Sequence, residues 1–89
     1  MSATFTYSVA TPDGLIASGE CDFMVVPTAG GELGVMADHA ALVSSVIPGE
    51  IRISTGTAPA RTISLGAGLV EVRDSTVHIL VASATKPVP

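Results

Sequence analysis

Three aromatic side chains, one cysteine, one lysine and no tryptophan in 89 residues each close a route to function. The aromatics are too few to stack bases. Four basic residues (Arg52, Arg61, Arg73 and Lys86) lie scattered against eight acidic ones, and a net charge of −4 has the wrong sign for holding phosphates. Nucleic acid is therefore not an expected partner. Cys21 alone cannot close an internal disulfide, so the fold needs no oxidising compartment, and with no base near it in sequence it reads as a small buried hydrophobe. Lys86 lies near the carboxy terminus instead of at a hairpin tip, which excludes a lipoyl or biotinyl carrier module. No run approaches the roughly 18 apolar residues with which a helix crosses a bilayer. The start, Met1 to Phe5, has neither the apolar core of a secretory signal nor the arginines of a transit peptide, so a bacterial cytoplasmic setting is expected.

What the chain does have is apolar residues. They make up 47% of it, charged residues only 13%, and the mean hydropathy is +0.58. A single domain of this size buries roughly 60 to 65% of its unfolded surface, so its own stability is expected at or below about 5 kcal/mol. Few charges on a small domain imply that another chain covers part of the surface.

The apolar residues recur with period two. Phe5, Tyr7 and Val9 alternate with Thr4, Thr6 and Ser8, and Pro12-Asp13-Gly14 turns the chain into a second strand from Leu15 to Glu20. Phe23 to Val26 is an unbroken apolar run, read as a strand covered on both faces, one by the core and one by an interface. Leu42 to Ile47, Ile51 to Ile53 and Arg61 to Leu65 are further strands. Leu69 to Arg73 pairs with Thr76 to Ala82 across Asp74-Ser75. No capped stretch of helical period occurs. The expectation is an all-β fold, a single β-sandwich or flattened barrel of about ten short strands, with the domain at 1–82 and an extended, proline-containing tail at 83–89.

Catalytic chemistry finds little footing. His39 and His78 have no nucleophile elbow or triad context, and His78 reads as a solvent-facing strand residue in the Val77-His78-Ile79 alternation. No His-x-His, Cys-x-x-Cys or Asp-x-Asp-x-Asp spacing is present, so no metal is expected. Gly66-x-Gly68 precedes a strand instead of a helix, which leaves no phosphate cradle and no expected cofactor.

The most distinctive segment is Gly30-Gly31-Glu32-Leu33-Gly34-Val35-Met36-Ala37-Asp38-His39-Ala40. Gly30 and Gly31 suit a turn with positive φ, Gly34 suits a bulge or a close approach, and His39 falls on the exit loop. The segment resembles the Glu-Gly-Glu-x-Gly-(Ile/Val)-x-Pro-Gly-His-Ala stretch of the ε subunit of bacterial rotary ATP synthases, called δ in mitochondria. Ser18-Gly19-Glu20, Pro48 to Ile53, Gly66 to Val72 and Val77 to Ala82 extend the likeness over nearly the whole chain.

The resemblance implies a β-sandwich and a non-catalytic rotor subunit that joins the γ shaft to the membrane c-ring, so that proton-driven rotation is coupled to ATP synthesis. It implies a peripheral place at the cytoplasmic face of the bacterial inner membrane. It assigns Glu32, Leu33, Gly34, Met36, Asp38 and His39 to the ring or shaft contact, with Glu32 facing basic and polar ring loops. In the apolar run, Met24 and Val26 are assigned to the surface facing γ. Ala37-Asp38 replaces the family's Pro-Gly, and Ala41 stands where proline is common. Most ε subunits continue past the final strand into a helical hairpin, where Ser83 to Pro89 stops, so no hairpin block on hydrolysis is expected. The alternative reading is a stand-alone β-sandwich that binds some other protein.

Overall fold

The computed structural model describes residues 3–85. Nine strands run in chain order: β1 (Phe5–Thr11), β2 (Gly14–Cys21), β3 (Phe23–Thr28), β4 (Gly31–Val35), β5 (Leu42–Val46), β6 (Gly49–Ser54), β7 (Arg61–Leu65), β8 (Gly68–Arg73) and β9 (Thr76–Val81). There is no helix among the described residues, and the all-β sandwich expected from period-two alternation is the architecture found.

The hydrogen-bonded order is β2-β1-β9-β8-β5-β3-β6-β7, with β4 on the free side of β3. The sheet curls into two layers, β2-β1-β9-β8-β5 and β4-β3-β6-β7. Neighbours are antiparallel except β1 and β9, which run parallel with Tyr7 opposite Val77. Two corners join the layers. At one, Ile47 N–H donates to the Pro27 carbonyl (3.1 Å), and the chain passes from β5, paired with β8, into β6, paired with β3. At the other, Ser83 to Thr85 run beside β7: Gly66 N–H donates to Ser83 O (2.8 Å), Thr85 N–H to Ser64 O (3.0 Å), and Leu65 bridges Ala84. These residues, read from sequence as the start of the tail, hold the two layers together; the rest of the tail, 86–89, lies outside the described residues.

Local sequence explains the elements. In β1, Phe5, Tyr7 and Val9 point into the core while Thr6 is exposed, as alternation requires. An extra residue in β2, between the pairs Val9–Ala17 and Ala10–Leu15, makes a bulge and leaves Leu15 outside. Asp74 and Ser75, with φ of 52° and 57°, form the two-residue turn whose twist suits the β8–β9 hairpin. The core holds Val9, Met24, Val26, Ile51, Ile63, Val70, Val77 and Ile79, drawn from both layers. Each such side chain contributes about 1.5–3 kcal/mol by leaving water.

Three expectations are corrected. Met24 and Val26 are 0% exposed, so they belong to the core and form no outward surface for a partner. It is Phe23 and Val25 that point outward from β3, because alternation in a paired strand puts only one parity inside. Gly34 makes no bulge; it pairs in register with Val25. Of Gly30 and Gly31, only Gly31 has a positive φ, 114°.

Candidate functional site

β4 is held on one side only, by β3. Its inward residues are Val35, which is buried, and Leu33, half-buried against the core. Its outward positions are Glu32 and Gly34, followed by Met36, which is 61% exposed. The turn into β4 is fastened by Thr28, whose Oγ1–H donates to the Gly31 carbonyl (2.6 Å).

Beyond Val35 the chain makes a tight turn. His39 N–H donates to Met36 O (3.0 Å), and the His39 ring bonds through Nδ1 to Ala40 O (2.8 Å), which makes Nδ1 the protonated nitrogen. Ser75 Oγ–H donates to Ala37 O (3.0 Å), tying this loop to the β8–β9 turn. Ala37-Asp38 thus occupies a defined turn.

A groove of about 580 Å³ opens here, lined by Ala3, Asp22, Phe23, Gly34, Met36, Ala37, Asp38 and His39. Asp22 sits where β2 crosses into β3; its N–H donates to Ser54 O (3.0 Å) and its Oδ2 accepts from Gly56 N–H (2.8 Å). The structure therefore brings together Gly34, Met36, Asp38 and His39 of the expected set. Glu32 lies apart, in a smaller cleft with Pro27, Gly49, Glu50 and Arg52, where its Oε2 is 4.0 Å from Arg52 Nη2. Leu33 faces inward. Sequence reasoning missed Asp22, Phe23 and Arg52, and the apolar run beginning at Phe23 was the one signal available for the ring.

The first layer presents a different outer surface. Val43 (67% exposed) begins a cross-strand row in which Val43, Glu71, His78 and Ser8 stand opposite one another, and the exposed pair Leu69 (51%) and Leu80 (59%) lies beside it. His78 Nδ1 is 2.8 Å from Ser8 Oγ. Cys21 is wholly buried; loss of water, and then the neighbouring Asp22 charge, push its thiol up to about 11. Among the described residues no three His, Cys, Asp or Glu side chains gather as a metal site would need.

Comparison with known proteins bears on this geometry. The profile of the ATP synthase, Delta/Epsilon chain, beta-sandwich domain family matches residues 4–87. The chain is 39% identical over 84 residues to an ATP synthase epsilon chain of Desulfitobacterium hafniense, covering 94% of this chain and 63% of that one. It is 41% identical over 86 residues to an ATP synthase epsilon chain of Shouchella clausii, covering 96% and 63%. It thus spans 63% of the length of these curated relatives. In fold it is similar to a chain in a cryo-EM structure of the Euglena gracilis mitochondrial ATP synthase that includes the c-ring (TM-score 0.87, 22% identity, 98% of this chain and 55% of that one). A chain in the Tetrahymena thermophila central stalk and c-ring structure is also similar (TM-score 0.77, 18% identity, 96% and 68%).

Proposed function

The chain belongs to the ATP synthase Delta/Epsilon chain β-sandwich family, and from that membership we propose that it is a non-catalytic rotor component joining the γ shaft to the c-ring. The observation that carries the reading is the placement of two unlike outward surfaces on different layers of one sandwich. The face of Val43, Leu69 and Leu80 sets exposed apolar side chains around Glu71 and His78 and suits a lasting contact with γ, in place of the buried Met24 and Val26. The Glu32-to-His39 end is exposed, an apolar groove bearing the carboxylates of Asp22 and Asp38 with Glu32 beside it, and suits the ring loops.

Nine strands around one core resist shear, so load applied at one surface reaches the other with little slip. The chain transmits rotation and makes or breaks no bond itself. In this role it is peripheral, at the cytoplasmic face of the bacterial inner membrane, and held there by its partners. Single cysteines placed at Glu32 and His39 in a Cys21→Ala background are expected to cross-link to the ring, and one at Leu69 to γ. Absence of both cross-links, together with failure to co-elute with γ, would favour the stand-alone binding module.

A further inference from the structure

We propose that the outer face of the first layer docks a second copy of this chain in a two-fold pair. The inference goes beyond the coupling role. Because it uses the face assigned there to γ, a second copy and γ exclude one another.

The strand registers line the outward side chains of this layer into rows. Ala10 stands between Leu15 and Leu80, and Leu69 stands between Leu80 and Ser45. These five residues form one ridge across all five strands, about 19 Å long at about 4.8 Å per strand. Its leucines, Leu15, Leu80 and Leu69, are 62%, 59% and 51% exposed. The bulge in β2 sets Ile16 against the core and Leu15 in water, which forgoes burial unless something outside covers the ridge.

The order of sizes along the ridge selects a second copy. β9 is the middle strand of the layer, so a two-fold axis along it reverses the ridge about Leu80. Leu80 then meets Leu80 of the second copy, Leu69 meets Ala10, and Leu15 meets Ser45, a large side chain against a small one on each flank. Ala10 and Leu80 border a recess of about 390 Å³ with Pro12 and Ala82, which takes the incoming Leu69. Aligned sheets cross at a shallow angle of about 30°, so the match is closest at Leu80 and the Leu69–Ala10 flanks.

The polar rows agree with the same axis. The row beside the ridge carries Ser8, His78 and Glu71, and the next carries Thr6, Thr76 and Arg73. The operation sets Glu71 opposite the Ser8 hydroxyl and Arg73 opposite Thr6, with His78 on the axis, so no carboxylate faces a carboxylate. Five strands and three rows bury about 1,000 Å² for the pair, the low end for a specific interface, and pairing is expected at about 10–100 μM.

Sedimentation of the whole chain from about 1 μM to about 1 mM tests this. The mass is expected to rise from 8.9 kDa toward twice that and stop there. Leu80→Asp should keep the chain monomeric, and because Leu80 is exposed the variant should keep its fold, checked by circular dichroism. Ala10→Leu adds apolar surface, which would strengthen indiscriminate association, yet it fills the place of Leu69 and should weaken the pair on the order of 10-fold. Leu80→Cys should give a disulfide-linked pair on mild oxidation, with the buried Cys21 out of reach. A chain still monomeric at the highest concentration, growth past two copies, pairing unchanged by Leu80→Asp or pairing strengthened by Ala10→Leu would overturn the proposal. If no pair forms while a cysteine at Leu69 cross-links to γ, the self-contact falls and the coupling role stands. If the pair forms while the ring and γ contacts are absent, the coupling role falls and the pair stands.

Discussion

The ring of Phe23 on β3 lies against Gly34 on β4, its Cζ 3.4 Å and its Cε1 3.5 Å from the point where a Cβ on Gly34 would stand. An aromatic ring covering a glycine on an edge strand restores contacts that the missing side chain forgoes. Phe23→Ala is therefore expected to cost about 1 kcal/mol, less than a full core truncation because Phe23 stays 39% exposed. Gly34→Ala should lie within about 0.5 kcal/mol of the parent, since the ring can tilt by tenths of an ångström. Urea unfolding of the two variants measures both; a Gly34→Ala loss exceeding that of Phe23→Ala would show that the strand, not the ring, sets the fit.

Gly68 presents the opposite case. A Cβ there would overlap the Leu80 carbonyl oxygen and stand 2.6 Å from Val81 Cα, all backbone of a strand paired in register. β8 is also held by β5 on its other edge, so it cannot swing away. Gly68→Ala is expected to cost more than about 3 kcal/mol, a large share of a small domain's stability. Urea unfolding should show a stability loss above about 3 kcal/mol, or a chain already unfolded in its absence, and a loss below about 1 kcal/mol would contradict the close approach of β9 to Gly68.

The two glycines also show where sequence reasoning stops. The strands were legible because Phe5, Tyr7 and Val9, or Val70 and Val72 against Val77 and Ile79, mark one parity as apolar and the other as polar. Phe23 to Val26 carries no such phase. With four apolar residues in a row, either parity satisfies the pattern, and only the pairing of β3 with β4 and β6 puts Met24 and Val26 inside. The groove was illegible for a related reason. It joins residues 3, 22–23, 34 and 36–39, which meet through the β3–β4 register and the Asp22 corner, and neither leaves a local signature. Glu32 and His39 were visible as residue types, but their separation into two clefts depends on Glu32 pointing toward Arg52.

Cys21 should make stability depend on alkaline pH. Its folded thiol is raised to about 11 from an ordinary 9.0, so the folded state holds the proton more tightly than the unfolded state. The contribution is whole below about pH 9 and is lost as pH rises toward about 11, with a slope of at most about 1.4 kcal/mol per pH unit. Cys21→Ala should start lower, because it empties a buried site, and show a flatter pH dependence over that window. Parallel slopes for the two proteins in urea titrations would mean that the thiol does not titrate on unfolding.

Ser75 serves the turn in two ways that substitutions can separate. Its φ of 57° strains any L side chain, while its hydroxyl holds the Ala37 carbonyl. Ser75→Ala keeps the strain and loses the bond; Ser75→Gly loses both. Ser75→Gly should therefore be more stable than Ser75→Ala by about 1 kcal/mol, with both showing faster amide exchange at His39. Exchange at His39 that stays as slow as in the parent would show that the loop is held without Ser75.

On the proposed ring contact, the Glu32–Arg52 pair would govern how the β4 edge meets a basic loop. Its 4.0 Å separation and side chains 72% and 57% exposed make it nearly worthless for stability, so Glu32→Gln and Arg52→Gln should each change unfolding free energy by less than about 0.5 kcal/mol. Their effects on association should differ in sign. Arg52 partly neutralises Glu32 and repels incoming cations; removing it frees the carboxylate, whereas removing Glu32 leaves an unopposed arginine at the same place. With detergent-solubilised c-ring as the partner, Arg52→Gln is expected to raise the association rate several-fold and Glu32→Gln to lower it, both differences shrinking as salt rises through about 0.15 M. Rates that move together, or a salt-independent difference, would remove Glu32 from the ring contact and leave the groove at Asp38 as the surface to pursue.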